Sequence, residues 1–220
     1  MSNESKSRGR AAIKGVVAYR KRRYTLVRRL EKSDSTRSAL LRAAKLRLEQ
    51  DGYESLTMES LASDAGVTRQ TVHNLFGTKT QLIEALFDEI ALAGGMHRMG
   101  EVMRLPDPRL MLREFVNVLT GFWTQYRLFI RRIHGIAAID PEFGKAVEAR
   151  SRRRQMAATR IVGLLDTAVG RVSDEEGRAR RIALLHALTS FEFVDVLAGD
   201  LSDSDLKDEL LAVVEKCVVA

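Results

Sequence analysis

Between Gly52 and Gln81 the sequence stops and starts a helix three times over. Gly52 follows an apolar stripe of Leu40, Leu41, Ala44 and Leu48, as a left-handed helix terminator would. Thr57 then offers a hydroxyl to the free amides of a second helix, with Leu56 and Leu61 at the spacing of a hydrophobic staple. Gly66 ends that helix, and Thr68 caps a third with Val67 and Val72 as its staple pair. Gly77 ends the third, and Thr78 with Gln81 forms a capping box for a fourth. Short helices bounded this sharply can be placed before any tertiary contact is known.

Two of these helices, joined by the tight turn at Gly66, have the requirements of a helix-turn-helix. The crossing needs a small residue where the helices touch, which Ala62 supplies, and a positive φ in the turn, which Gly66 supplies. Leu61, Ala65, Val67, Val72 and Leu75 then hold the angle. The outward residues of the second helix are Arg69, Gln70, Thr71, His73 and Asn74, clustered where such a helix enters a major groove. Arginine can pair with guanine, and glutamine or asparagine with adenine, by two hydrogen bonds at once. Thr57, Thr68 and Lys79, near helix N-termini, are expected to meet phosphates.

With these residues in place, residues 36–87 resemble the DNA-binding head of the TetR family. The resemblance is carried by Leu-Thr-Met at 56–58, Ala-Gly-Val-Thr at 65–68 and Phe-Gly-Thr-Lys at 76–79. Many members carry tyrosine where His73 stands, and often histidine where Leu75 stands. The resemblance implies a homodimer that represses transcription until a small ligand binds the body.

The rest of the chain is read as all-α, since its three prolines lie at 106, 108 and 141 and Ala, Leu, Arg and Glu dominate long stretches. Helical regions are expected at 11–32, from the Ser33–Ser35 break and cap to about 51, and at 109–138, 142–169, 174–199 and 203–218, with a loop from Ala93 to Pro108. Residues 1–33 form a basic extension, 34–80 the helix-turn-helix domain, and 81–220 a ligand-binding and dimerisation bundle. The extension carries +9 of the chain's net +7, leaving residues 34–220 at −2. Such a basic arm on a near-neutral body fits a polyanionic partner, and Arg22 and Arg23 are its candidate phosphate contacts.

Within the bundle, Phe122, Trp123, Tyr126, Phe129, His134, Met156, His186 and Phe191 are candidate ligand contacts. Arg150 to Arg154 reads as a solvated helix face. Ile182, Leu185, Thr189, Phe193 and Val196, with Leu206, Leu210, Val213, Val214 and Cys217, are candidate dimer contacts. A lone cysteine excludes an internal disulfide and any multi-cysteine metal site. No nucleophile motif, phosphate loop or paired metal ligands occur, so neither catalysis nor a cofactor is expected. No apolar run approaches a membrane span, and a cytoplasmic protein is expected. The expected partners are a palindromic operator in double-stranded DNA, a second copy of the chain and a small-molecule effector. The alternative is a non-specific nucleic-acid-binding or architectural protein, for which the basic arm alone would suffice.

Overall fold

A computed structural model describes residues 31–171, 174–199 and 201–219. Every regular element among them is helical. Helix α1 occupies residues 31–50 without interruption, so the break expected at Ser33–Ser35 is absent. The polar triplet lies within the helix because Leu40 and Leu41, one turn further on, anchor its C-terminal part in the core. The expected helix over 11–30, and with it Arg22 and Arg23, lies outside the described residues.

The head follows the caps. Helices α2 (Met58–Asp64), α3 (Arg69–Phe76) and α4 (Lys79–Ala93) begin at Thr57, Thr68 and Thr78. Each threonine accepts a hydrogen bond from the amide three residues on, and Thr78 and Gln81 complete a reciprocal box. Gly66 sits at φ +62°, where a Cβ would be strained although no neighbour obstructs it. The Arg47 guanidinium grips the Asp64 carboxylate through Nε and, at 2.8 Å, through Nη2, fastening α1 to the end of α2. Leu40, Leu41, Leu48, Leu56, Leu61 and Val72 are sealed beneath.

The segment read as a loop after Ala93 is helical over half its length: a 3₁₀ turn, Met96–Arg98, runs into α5 (Met99–Val102). Gly94 permits this, since a Cβ there would lie 2.5 Å from the Phe122 ring. The region expected as one helix over 109–138 is two, α6 (Pro108–Gln125) and α7 (Arg127–Ile139). Tyr126 makes the bend with φ −116° and ψ 26°, and neither proline nor glycine is needed. Helix α8 (Pro141–Ala168) starts on the Asp140 cap, with Pro141 in its first turn.

The region 174–199 is also divided, into α9 (Glu175–Leu188) and α10 (Phe191–Ala198). Ser190 caps α10 through the Phe193 amide, and the Trp123 indole N–H donates to the Thr189 carbonyl that the break releases. Helix α11 (Asp203–Val214) ends in a π turn, Glu215–Val219. Helix α6 is the centre of the body, packed by α5, α8, α10 and α11. Asp166 on α8, buried at 2% exposure, accepts from Arg178 and Arg181 of α9 and locks that pair of helices.

Candidate nucleic-acid interface and body cavity

Helix α3 divides its residues cleanly. Val72 and Phe76 are buried, and Leu75 packs at the edge of the core. Thr68, Arg69, Gln70, His73 and Asn74 are exposed, and Thr71 is half-buried. The exposed side chains form short local pairs. Arg69 Nε lies 2.8 Å from Glu59 Oε1, and Gln70 Nε2 donates to Asn74 Oδ1 at 2.8 Å. Pairs this exposed are worth at most about 1 kcal/mol, so a base edge can displace them.

Thr57 and Thr68 are exposed, but their hydroxyls already accept from backbone amides within the head. Lys79 is turned inward: its ammonium donates to the Tyr53 carbonyl at 2.8 Å and lies 3.5 Å from the centre of the Tyr53 ring. Burial holds its pKa below the usual lysine value. To meet a phosphate it must give up that carbonyl.

Behind the head, residues of α4, α6, α7, α8 and α10, with Met96 of the 3₁₀ turn and Met99 of α5, line a cavity of about 520 Å³. Phe87, Met96, Met99, Phe115, Leu119 and Trp123 supply its apolar wall. Its polar wall holds the carboxylates Asp88, Glu148 and Glu192, the guanidinium groups of Arg150, Arg153 and Arg154, and His134 and Ser151. Of the residues singled out from sequence, Trp123 and His134 line it directly. Phe191 stands behind both, 5.8 Å and 5.1 Å from their rings. Phe122 stacks on Trp123 at 5.0 Å and on Tyr126 at 5.6 Å, one layer back, and Phe129 is buried in the core. Met156 is 64% exposed and faces away, because the helical turn of α8 points Arg154 and Ala157 inward in its place.

The polar wall is a chain of contacts. His134 Nδ1 lies 2.7 Å from Glu192 Oε1. Burial would raise the Glu192 carboxyl, but its own backbone amide, His134 and Arg154 together hold it below the usual range. Arg154 Nη2 lies 3.1 Å from His186 Nε2, and Ser151 Oγ reaches the same nitrogen at 3.1 Å. Arginine only donates, so His186 Nε2 is an acceptor and its ring proton sits on Nδ1. Burial, then the Arg154 charge, keeps this imidazole below its ordinary pKa. The run Arg150–Arg154 is therefore only half solvated: Arg152 and Arg153 are exposed, whereas Arg150 and Arg154 are largely covered.

The apolar stripes expected at a dimer surface are mostly spent inside the protomer. Leu185, Thr189, Leu206, Leu210 and Val214 are buried against α6 and its neighbours, and Phe193 is partly so. Val196, at 82% exposure, is the member of the set left in solvent. Among the described residues no group of three or more His, Cys, Asp or Glu is placed to hold a metal ion. None of their helices is long and apolar enough to cross a membrane.

The model of the family described as bacterial regulatory proteins, tetR family, matches residues 40–86. No curated protein matches the chain. Among solved structures, a TetR transcription regulator from Haloarcula marismortui superposes with a TM-score of 0.65 at 15% identity, covering 84% of this chain and 97% of its own. NalD, the secondary repressor of the MexAB-OprM multidrug efflux pump in Pseudomonas aeruginosa, gives 0.62 at 20% identity over 86% and 98%. A regulator of the TetR/AcrR family from Thermobifida fusca gives 0.58 at 17% identity over 81% and 95%.

Proposed function

We propose that this chain, a TetR-family transcriptional regulator in its head and its fold, is a homodimeric repressor that leaves a palindromic operator when a small molecule fills the body cavity. The observation that carries the reading is the division of α3: an apolar back fixed in the core, and Arg69, Gln70, His73 and Asn74 exposed in front. Arg69, Gln70 and Asn74 suit guanine and adenine edges in the major groove. One short helix reads few base pairs. Specificity therefore calls for two copies on half-sites roughly 34–36 Å apart. Val196 on α10 and the exposed Ala183 and Ala187 on α9 offer a surface for the second copy.

Two helices join the cavity to the head, which supports control by a ligand. Helix α4 begins at the Thr78 cap beside α3 and carries Phe87 into the cavity wall. Helix α8 carries Arg150 and Arg154 along the same wall and begins at Asp140, which touches the head. Tyr53 and Thr80, both in the head, approach Asp140 Oδ2 at 3.5 and 3.4 Å. A ligand that shifts either helix changes the tilt of α3, and coupling of about 1–3 kcal/mol makes a useful switch.

Selection of bound duplexes from a random library at near-physiological salt tests the reading, with enrichment of one palindrome expected. The charge of residues 1–33 favours a second reading, a non-specific nucleic-acid binder, and recovery of duplexes without shared sequence would select it. In the repressor reading Arg22 and Arg23 add phosphate contacts beside the operator. Their joint replacement by alanine then lowers the salt slope of binding by about 2.

A further inference from the structure

We propose that the cavity takes an amphipathic monocarboxylate, with the Arg154 guanidinium as the receptor for its head and the Phe87–Trp123 wall as the seat of its apolar body. The inference rests on the ligand-controlled reading above only for what binding accomplishes, since occupancy of the cavity can be measured without DNA.

Arg154 is the anomaly of the body. Its Nε is buried and has no hydrogen-bond partner, and its Nη2 meets only the Ser151 hydroxyl at 3.5 Å and the neutral His186 ring. The carboxylates around it are engaged elsewhere. Asp88 accepts from Arg150 at 2.6 Å, Glu148 from Arg152 at 2.8 Å, and Glu192 contacts His134. A covered guanidinium that feels the Glu192 charge but makes no direct contact with any carboxylate is costly, and a ligand carboxylate lessens that cost by accepting two parallel N–H bonds. His186 cannot substitute, because its neutral ring offers one lone pair and no charge.

The lining also sets the ligand's charge and size. Asp88, Glu148 and Glu192 face Arg150, Arg153 and Arg154 in the lining, so its formal charges balance and no surplus positive charge awaits a second negative group on the ligand. A phosphate monoester carries close to two charges at neutral pH and is disfavoured, whereas a carboxylate carries one. A volume of about 520 Å³ falls within the usual range of small-molecule sites. Met96 and Met99 can adjust to the shape of the apolar part, and Trp123, its N–H already satisfied by Thr189, offers only its ring.

The test uses the full chain without DNA and isothermal titration with octanoate, decanoate and 4-phenylbutanoate, each beside its neutral primary amide, and with octanedioate. The carboxylates are expected to bind at least about 10-fold more tightly than their amides and than octanedioate. Arg154→Met, which keeps the stem and removes the charge, is expected to lose about 10- to 100-fold of the carboxylate affinity. It should leave the amides unchanged, with a melting temperature no lower than the parent's. Should that variant fail to fold, Arg154→Lys keeps the charge without the fork and should retain only part of the preference. Equal binding of acid and amide, unchanged acid affinity in the variants, or no acid binding below about 1 mM would overturn the proposal. If the acids bind as expected and operator affinity does not move, the proposal stands and the ligand-release reading falls.

Discussion

The Tyr53 hydroxyl donates to Asp140 Oδ2 at 3.5 Å, joining residues 87 positions apart. Tyr53 lies in the turn between the first two helices of the head, and Asp140 is the cap from which α8 sets out along the cavity. Asp140 Oδ1 accepts from the amides of Glu142 and Phe143, so one carboxylate holds the body helix with one oxygen and meets the head with the other. Burial, then the Asp140 charge, holds the Tyr53 phenol above its ordinary pKa, and it remains a donor at neutral pH.

Removing the head's side of this junction should uncouple ligand from operator. Tyr53→Phe with Thr80→Val keeps the Asp140 cap and deletes both hydroxyls that face it. Operator affinity without ligand should stay within about threefold. The ligand-induced loss of affinity should shrink by about 1 kcal/mol, near fivefold. Operator titrations with and without ligand measure both, and an unchanged release factor would place the coupling elsewhere.

On α3, Gln70→Ala should cost about 1–3 kcal/mol on the preferred duplex and relax the preference at a single base pair. Affinity for unrelated duplex should not change, since Gln70 carries no charge. Gln70 and Asn74 are hydrogen-bonded to each other, so their double replacement should cost less than the sum of the single ones. Binding to duplexes altered at each position in turn reads the effect. Uniform weakening across all of them would show that Gln70 only shapes the helix surface.

How far each of these sites can be read from sequence depends on how local its cause is. The head is legible because Thr57, Gly66, Thr68, Gly77 and Thr78 act on amides within three or four residues of themselves. The bend at Tyr126 has no such signature, and the one at Thr189 had a readable capping serine at 190 that an apolar run obscured. Arg154 was hidden in a basic run. Its register, however, continues inward-facing positions at Val147, Arg150, Ala157 and Ile161, and that spacing marks it as a residue of the inner face. Dimer and core stripes are indistinguishable by periodicity, and Leu185 and Leu210 fell to the core.

His186 makes stability depend on mild acid. Burial first, and Arg154 second, lower its pKa from the ordinary 6.5, so the unfolded chain takes up this proton at a higher pH than the folded one. Its contribution is therefore fully present above pH 6.5 and is lost as pH falls from there through the lower folded value. His186→Gln keeps an oxygen to accept from Arg154 and cannot titrate. Melting temperatures followed between about pH 5 and 8 should decline more steeply on the acid side in the parent than in this variant. Parallel curves would mean that another group sets the acid limit.

Asp166 titrates in the same sense at lower pH, and it stabilises the join between α8 and α9. Hydrogen bonds from Arg181 at 2.6 and 3.0 Å, together with Arg178 at 3.1 Å, outweigh burial and hold its carboxyl below the ordinary 3.8. Its contribution is present above pH 3.8 and is lost as pH falls through the lower folded pKa. Asp166→Asn retains the shape but removes the charge from a position only 2% exposed, where Arg181 is itself 11% exposed. Loss of one member of such a pair costs about 3 kcal/mol, or on the order of 10 °C in melting temperature for a chain of this size. The gap between parent and variant should be constant through neutral pH and close as the parent's carboxylate protonates below pH 3.8. A gap that persists unchanged into that range would show that packing of the side chain, not its charge, holds the two helices together.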